Sequence, residues 1–268
     1  MDIRKKQALT RIFNYFETHE EESLASYEDG LRRSLKSFRM SDFSKAPYPS
    51  QLLTDKFHKK LEEHIIEVHR SSKFTIGTTA TSKDLQQLIE YARLSEDDYS
   101  DSKLEKLAKL LSIKKDQVFS SFGPSHELVQ YMALNNINSI FGREFLLWTR
   151  TSEDIVFAGH PDFFGFRIVG NKIQIIDYKP NLHFDLGSDN PADHVMTSIP
   201  QVAGYGILSD IMFAFKAAGF TIECITFNKY KYIIYEPYEA LQLSIDFYVK
   251  YARENPDWAK LLDWGLLQ

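Results

Sequence analysis

Cysteine is nearly absent from this sequence, because Cys224 is the only one among 268 residues. A single thiol cannot form a disulfide within the chain, and it cannot supply a zinc site made of cysteines or a four-thiolate iron–sulfur cluster. Cys224 lies within the apolar run TIECITF, so we expect it in the core. Disulfide-bonded scaffolds and cysteine-built metal centres are therefore excluded.

Long hydrophobic runs are also lacking. No segment approaches the roughly 18 consecutive apolar residues of a membrane-spanning helix. The first segment, MDIRKKQALTRIFNYFETHE, does not contain the uninterrupted apolar stretch of a signal peptide. We therefore expect a soluble, cytoplasmic protein without a membrane partner.

Neither the hydrophobic fraction, 43%, nor the charged fraction, 26%, is unusual, so disordered, collagen-like and coiled-coil classes are disfavoured. The net charge of −5 is unevenly distributed. Residues 1–122 carry 21 Lys and Arg against 20 Asp and Glu, whereas residues 123–268 carry 11 against 17. The acidic excess of the second part either repels polyanions or supplies carboxylates to metal ions, which would reverse the local sign of the charge.

The spacing of apolar residues changes after Phe122. Before it, helical spacing predicts a helical N-terminal region over residues 1–122, and after it a domain over residues 123–268 mixes helices with strands. The element order favours an α/β fold with a mixed central sheet flanked by helices. The predicted elements are a helix from Gly123-Pro124-Ser125 to about Phe141, strands at Glu144–Thr149, Ile155–Ala158 continuing into Asp162–Ile168, and Lys172–Tyr178, a helix at Asp193–Ala218, strands at Thr221–Phe227 and Tyr230–Tyr235, and helices after Pro237 and around Trp258–Leu262.

Two acids stand at the ends of neighbouring strand-like segments. Asp162 ends the turn GHPD, and Asp177 and Lys179 end the run KIQIIDYK. Alternate residues of a strand share a face, so Asp177 and Lys179 project to the same side while Tyr178 points away. If Asp162 comes beside them, the two carboxylates form a hard-oxygen site suited to Mg²⁺ or Mn²⁺.

Asp162 and the segment Asp177-Tyr178-Lys179 resemble the PD-(D/E)xK nuclease signature, including a literal Pro161-Asp162. In the next predicted helix, the segment QVAGY with Gln201 and Tyr205 resembles the QxxxY motif of the RecB-like branch of that superfamily. The two residues are four apart and so share one helical face. The resemblance covers about residues 123–235 and leaves residues 1–122 unexplained.

The resemblance implies a PD-(D/E)xK restriction-endonuclease-like core and a metal-dependent nuclease that hydrolyses phosphodiester bonds of DNA. It would act as a RecB-like exonuclease or a structure-specific endonuclease in DNA repair, recombination or processing, and RNA is not excluded as a substrate. Mg²⁺ or Mn²⁺ would be the cofactor, and Lys179 would orient the nucleophile and offset negative charge. The implied site residues are Asp162 and Asp177 as metal ligands, Glu127 or His126 as a further ligand with Glu127 preferred, Lys179, and Gln201 and Tyr205, which would brace the site or touch the DNA backbone.

Each of these residues also has an ordinary structural interpretation. Asp177 and Lys179 would then be a strand-end ion pair, and Asp162 would begin a turn. Gln201 and Tyr205 would be a polar residue and a core aromatic. The protein would then be a catalytically inactive nucleic-acid-binding or assembly protein that retains the nuclease fold, or a different fold in which these residues are incidental.

Other polar residues near the motifs are expected to play lesser parts. His160 lies in a turn bounded by Gly and Pro, which indicates a structural or substrate-side position. A polar loop after Lys179 is expected to be flexible and solvated. The polar residues of this loop are His183, Asp185, Asp189 and Asp193.

The accessories found beside some RecB-like nucleases are missing. No GxxxxGK[ST] phosphate-binding loop occurs, because the nearest segment, Gly77–Lys83, lacks the second glycine. The protein is therefore expected to be a stand-alone nuclease, a homo-oligomer or a subunit of a larger complex. A row of basic residues at helical spacing would contact the phosphates of the nucleic acid. Alternatively, these residues form an ordinary solvated helix face. This basic stripe consists of Arg32, Arg33, Lys36 and Arg39, near Phe38 and Phe43.

Overall fold

A computed structural model describes residues 3–18, 20–40, 55–79, 82–95, 100–118, 125–186 and 191–267. They form an α/β fold in which two mixed sheets are flanked by helices and the N-terminal part is largely helical, so the predicted fold class is confirmed at this level. No helix among them is long and apolar enough to span a bilayer.

The helices are α1 (Ile3–Thr18), α2 (Glu20–Arg33), α3 (Asp55–Arg70), α4 (Lys83–Leu94), α5 (Asp101–Leu111), α6 (Ser125–Asn136), α7 (Ile199–Phe213), α8 (Pro237–Ala252) and α9 (Lys260–Leu267). The strands are β1 (Lys36–Arg39), β2 (Phe74–Gly77), β3 (Ile140–Gly142), β4 (Leu147–Arg150), β5 (Ile155–Gly159), β6 (Phe163–Arg167), β7 (Lys172–Tyr178), β8 (Thr221–Phe227) and β9 (Tyr232–Tyr235).

The larger sheet has six strands in the order β2-β9-β8-β7-β6-β3. Its central strand, β7, pairs parallel with β8 and antiparallel with β6. Both faces of β7 are covered: Ile173 and Ile175 belong to one apolar cluster, and Ile176 and Tyr178 belong to another. Asp177 shares the first face, because side chains alternate along a strand.

The smaller sheet has the order β1-β5-β4, and β1 pairs parallel with β5. Phe38 of β1 stacks on Phe157 of β5, with ring centroids 5.3 Å apart. In the larger sheet, β2 pairs with β9. Residues 1–122 thus contribute a strand to each sheet, and the expectation that they are helical is wrong at β1 and β2. Strands of four residues are too short for apolar periodicity to reveal, and their partners lie far away in the sequence.

Helix α7 lies between layers and is buried along most of its length. Its sequence, IPQVAGYGILSDIMF, is apolar on all sides, which is typical of a buried helix. The helix packs on β8, on β4 and on α8. Cys224 of β8 faces this helix and is fully buried, which confirms its predicted core position.

The ends of several elements differ from the prediction. Helix α6 ends at Asn136, and strand β3 follows where the helix was expected to continue to about Phe141. Helix α7 begins at Ile199 rather than Asp193, and it ends at Phe213 because Ala214 adopts a left-handed conformation with φ 55°. The strand expected at Glu144–Thr149 is β4, which begins only at Leu147. Apolar patterns locate these elements, but their ends depend on local backbone conformation.

The basic stripe expected on one helix face is not a single surface. Arg32 and Arg33 form the last turn of α2, where each pairs with an acid of the same helix. Lys36 and Arg39 lie instead on β1, and Lys36 pairs with Asp257. Residues three apart on a strand face opposite sides. The prediction that these four residues share one helix face is therefore wrong, and their contact with phosphates stays a prediction.

Two histidines meet where α3 contacts the segment before α7. His69 Nε2 lies 3.3 Å from His194 Nε2, and His194 Nδ1 accepts a hydrogen bond from the Met196 N–H group. Burial, followed by the charges of His69 and His183, lowers the pKa of His194 to about 3. His194 is therefore neutral in the folded protein at pH values where a histidine in the unfolded chain becomes charged.

We expect His194→Asn to reduce the acid sensitivity of the fold. A histidine with a pKa near 6.5 unfolded and about 3 folded keeps its full contribution to stability above pH 6.5, and the contribution falls as the pH drops towards 3. Between pH 7 and pH 5 the loss is about 2 kcal/mol. Asn retains a side-chain acceptor for the Met196 N–H group. Urea unfolding of both proteins at pH 7 and pH 5 measures the difference, and equal pH dependence would contradict this account.

Candidate active site

Asp162 lies in the turn that leads from β5 of the smaller sheet to β6 of the larger one. In the antiparallel pairing of β6 with β7, Phe163 lies opposite Ile176, so Asp162 comes opposite Asp177. The Asp162 Oδ2 atom accepts a hydrogen bond of 2.6 Å from the Tyr178 backbone N–H group. The two acids of the sequence motif therefore meet at one end of the β6–β7 hairpin.

Helix α6 brings His126 to Asp162. The distance from His126 Nε2 to Asp162 Oδ1 is 2.7 Å, whereas Glu127 is exposed. Successive helical residues point in directions about 100° apart, so the two neighbours do not face the sheet together. The preference for Glu127 as the helix residue of the site is therefore wrong, and its alternative, His126, is the residue brought to Asp162. The hydrogen bond with Asp162 raises the pKa of His126.

The Asp162 carboxyl group is buried, with an exposed fraction of 5%. Burial, and then repulsion from the nearby Asp177 carboxylate, raises its pKa to about 6, while His126 acts in the opposite direction. Ionisation of Asp162 is thus unfavourable in this position without additional positive charge. A cation beside the two carboxylates would relieve their repulsion.

Lys179 directly follows β7, and its Nζ atom lies 2.6 Å from Asp177 Oδ2. The prediction that both side chains project to the same side is confirmed by this contact. The Lys179 N–H group donates a 2.9 Å hydrogen bond to the Phe227 carbonyl oxygen, which continues the pairing of β7 with β8. Burial alone would lower the pKa of Lys179, but Asp177 and Asp162 outweigh burial and raise it. The site therefore contains a protonated amine at neutral pH.

Tyr205 of α7 lies near the acids of this site, whose charges act on its phenol, and Gln201 contacts Tyr205 from one turn earlier. The Gln201 Nε2–H group donates a 2.8 Å hydrogen bond to Tyr205 Oη, and both side chains are buried. A Cβ atom on Gly159, at the end of β5, would lie 2.4 Å from the Tyr205 ring, so this glycine permits the close approach. Burial, and then the charge of Asp177, raises the pKa of Tyr205. The pair thus forms one wall of the site, and its phenol is neutral.

Sequence reasoning missed one acid of this region, Glu144. Its carboxylate, His126 and Asp162 each provide one ligand atom, and these three atoms all lie within 4.8 Å of one another. The sequence places Glu144 at the head of the strand-like run EFLLWT, a position that carries no motif. Only the return of the chain beside the GHPD turn brings this residue to the site.

The donor set of these residues fits a divalent cation. Carboxylate oxygens are the ligands that Mg²⁺ and Mn²⁺ prefer, and an imidazole nitrogen also suits transition metals. His126, Glu144 and Asp162 supply one nitrogen and two oxygen donors, and Asp177 adds further negative charge nearby. These side chains would hold a cation at the end of the hairpin.

The structure shows where the other polar residues near the motifs lie. His160 is exposed in the turn before Asp162. In the loop after Lys179, the His183 N–H group donates a 3.0 Å hydrogen bond to the Asp193 carbonyl oxygen. His183 is half-buried, whereas Asp185 and Asp193 are exposed, as expected for a solvated loop, and Asp185 pairs with Lys231. Asp189 and Phe43 lie outside the described residues.

Comparison of the chain with models of protein families, with curated proteins and with solved structures finds no match.

Proposed function

We propose that this protein is a metal-dependent nuclease with a PD-(D/E)xK core of the RecB-like type, and that DNA is its substrate. The observation that carries the proposal is the meeting of Asp162, Asp177, Lys179 and His126 at one end of the β6–β7 hairpin. These residues come from three separate segments of the chain. Two buried acids, a lysine and a histidine are a costly combination for a purely structural role.

His126, Asp162 and Asp177 would hold Mg²⁺ or Mn²⁺ in the proposed site. Such a cation polarises phosphoryl oxygens and lowers the pKa of a bound water. The Tyr178 N–H group holds Oδ2 of Asp162, so the backbone sets the orientation of this carboxylate, and a cation would replace the proton between His126 Nε2 and Asp162 Oδ1. Preorganised ligands reduce the reorganisation that binding requires.

Lys179 would stabilise the negative charge that develops on the phosphoryl group. Its ammonium group is held beside Asp177 and is only partly exposed, with 23% of the side chain accessible. An ammonium ion in a partly desolvated site interacts more strongly with a developing charge than one in water. Gln201 and Tyr205 would brace this arrangement from α7 through their mutual hydrogen bond.

The proposal predicts cleavage of DNA that requires a divalent cation. Purified protein is incubated with end-labelled single-stranded, duplex and branched DNA, and with RNA, in Mg²⁺, Mn²⁺ or EDTA. We expect cleavage of at least one DNA substrate with a divalent cation, none in EDTA, and a strong loss in the control variant Asp177→Asn. Asp177→Asn keeps the size of the side chain, so a lost activity reports on the charge.

The ladder of labelled products distinguishes release from an end from internal cutting. If the wild-type protein cuts none of these substrates in either cation, the enzyme proposal is wrong, and a binding or assembly protein with this fold becomes the better description. Cleavage by Asp177→Asn at the wild-type rate would point to a contaminating nuclease.

A further inference from the structure

Glu144 has an unfavourable backbone conformation. Its φ angle is 50°, in the left-handed region that residues other than glycine seldom adopt. The conformation is held by a 3.0 Å hydrogen bond from the Glu144 N–H group to the Pro161 carbonyl oxygen, directly before Asp162. Strained residues persist where the surrounding structure determines them, and they concentrate at functional sites.

The side chain of Glu144 is also held in place. Gln130, which is 2% exposed, donates a 2.6 Å hydrogen bond from Nε2 to Glu144 Oε1. Gln130 in turn accepts a hydrogen bond from the neighbouring Arg143, and the Arg143 guanidinium group lies over the Tyr131 ring. His126 and Gln130 are four residues apart, so the same face of α6 orients both Asp162 and Glu144.

The carboxylate of Glu144 is thereby positioned without a direct ion pair to any described residue, although Lys179 and His126 lie close enough for its charge to raise their pKa values. Among the described residues no Lys or Arg side chain forms an ion pair with Glu144, although Arg143 is adjacent in sequence and bonds to Gln130 and Tyr131 instead. The carboxylate lies close to His126 and to the buried Asp162. Placing two carboxylates together is unfavourable unless a positive charge lies between them.

We propose that Glu144 is a further ligand of the divalent cation, together with His126 and Asp162, and that the left-handed turn at residue 144 exists to deliver its carboxylate. This inference rests on the proposed function and extends the metal site beyond the residues of the sequence motifs. A site with an imidazole nitrogen among its donors favours Mn²⁺ over Mg²⁺, because Mg²⁺ prefers oxygen ligands alone.

The test compares four variants of the full chain by calorimetric titration with MnCl₂ and by thermal unfolding in EDTA. Glu144→Gln keeps the side-chain shape and should weaken Mn²⁺ binding about tenfold or more. Glu144→Gly relieves the left-handed backbone but leaves the buried Gln130 amide without its acceptor, so its melting temperature in EDTA should stay close to that of the wild type while Mn²⁺ binding weakens. The matched control Glu127→Gln makes the same change at an exposed residue beside His126 and should bind Mn²⁺ as the wild type does.

Wild-type affinity for Mn²⁺ in Glu144→Gln would overturn the inference. If Asp162→Asn still weakens binding in the same titrations, the failure concerns Glu144 alone and the proposed nuclease site stands. If the wild-type protein binds neither Mn²⁺ nor Mg²⁺, the proposed function itself fails.

Discussion

Replacing Lys179 by methionine should slow DNA cleavage at least about a hundredfold while leaving DNA binding nearly unchanged, because loss of one preorganised electrostatic contact commonly costs 10² to 10³ in turnover. The ammonium group matters most as negative charge develops on the phosphoryl group, so it acts on the transition state more than on the bound substrate. Single-turnover cleavage and filter binding of the same DNA separate the two quantities.

The ion pair with Asp177 has a further consequence for this variant. Asp177 is 2% exposed, so removal of Lys179 leaves a buried carboxylate without its partner, and we expect lower stability in EDTA that Mn²⁺ restores. Lys172→Met is the matched control, because Lys172 lies at the other end of β7 and pairs with Glu223 at 2.6 Å. Equal cleavage rates for Lys179→Met and Lys172→Met would remove Lys179 from the mechanism.

Asp162→Asn should abolish Mn²⁺-dependent cleavage and yet stabilise the metal-free protein at neutral pH. Asn keeps an oxygen for the Tyr178 N–H group but lacks the charge that binds a cation. A carboxyl whose pKa is raised from 3.8 to about 6 by burial and by Asp177 destabilises the fold by roughly 3 kcal/mol at pH 7, before any loss of hydrogen bonds is counted.

The stability difference between Asp162→Asn and the wild type should depend on pH. The folded-state pKa of Asp162 lies above its unfolded value, so the cost of ionisation appears as the pH rises through 3.8 towards 6 and is absent below that window. Urea unfolding in EDTA should show Asp162→Asn more stable than wild type at pH 7, with the difference shrinking towards pH 4. A difference that does not change with pH would contradict the assignment of this charge to Asp162.

Much of the hairpin was predictable because its determinants are local. The run KIQIIDYK predicts a buried strand. The alternation of side chains along a strand places Asp177 and Lys179 on one side, which their ion pair confirms. The turn GHPD before Phe163 likewise marks the start of the next strand. Gln201 and Tyr205 share a helical face in the sequence and are hydrogen bonded in the structure. Their proposed roles in cleavage stay predictions.

The choice between His126 and Glu127 was not predictable from the pattern. Helix α6 is apolar on several sides, since it packs on α4, on α5 and on β3, so no single apolar stripe indicates which neighbour faces the sheet. Spacing in the sequence was also insufficient to place the four basic residues expected on one helix face. Arg32 and Lys36 have helical spacing in the sequence, but α2 ends at Arg33 and β1 begins at Lys36, so the two residues do not share a helix face.

The sequence by itself determined the α/β class, the central strand of the larger sheet and the end of that strand where Asp177 and Lys179 lie, because apolar alternation and burial act over a few neighbouring residues. Only the tertiary structure decided that β1 and β2 join the two sheets, that His126 contacts Asp162, and that Glu144 arrives beside them. These contacts join residues that are distant in the chain, and their geometry depends on how the sheets and α6 pack rather than on any local preference.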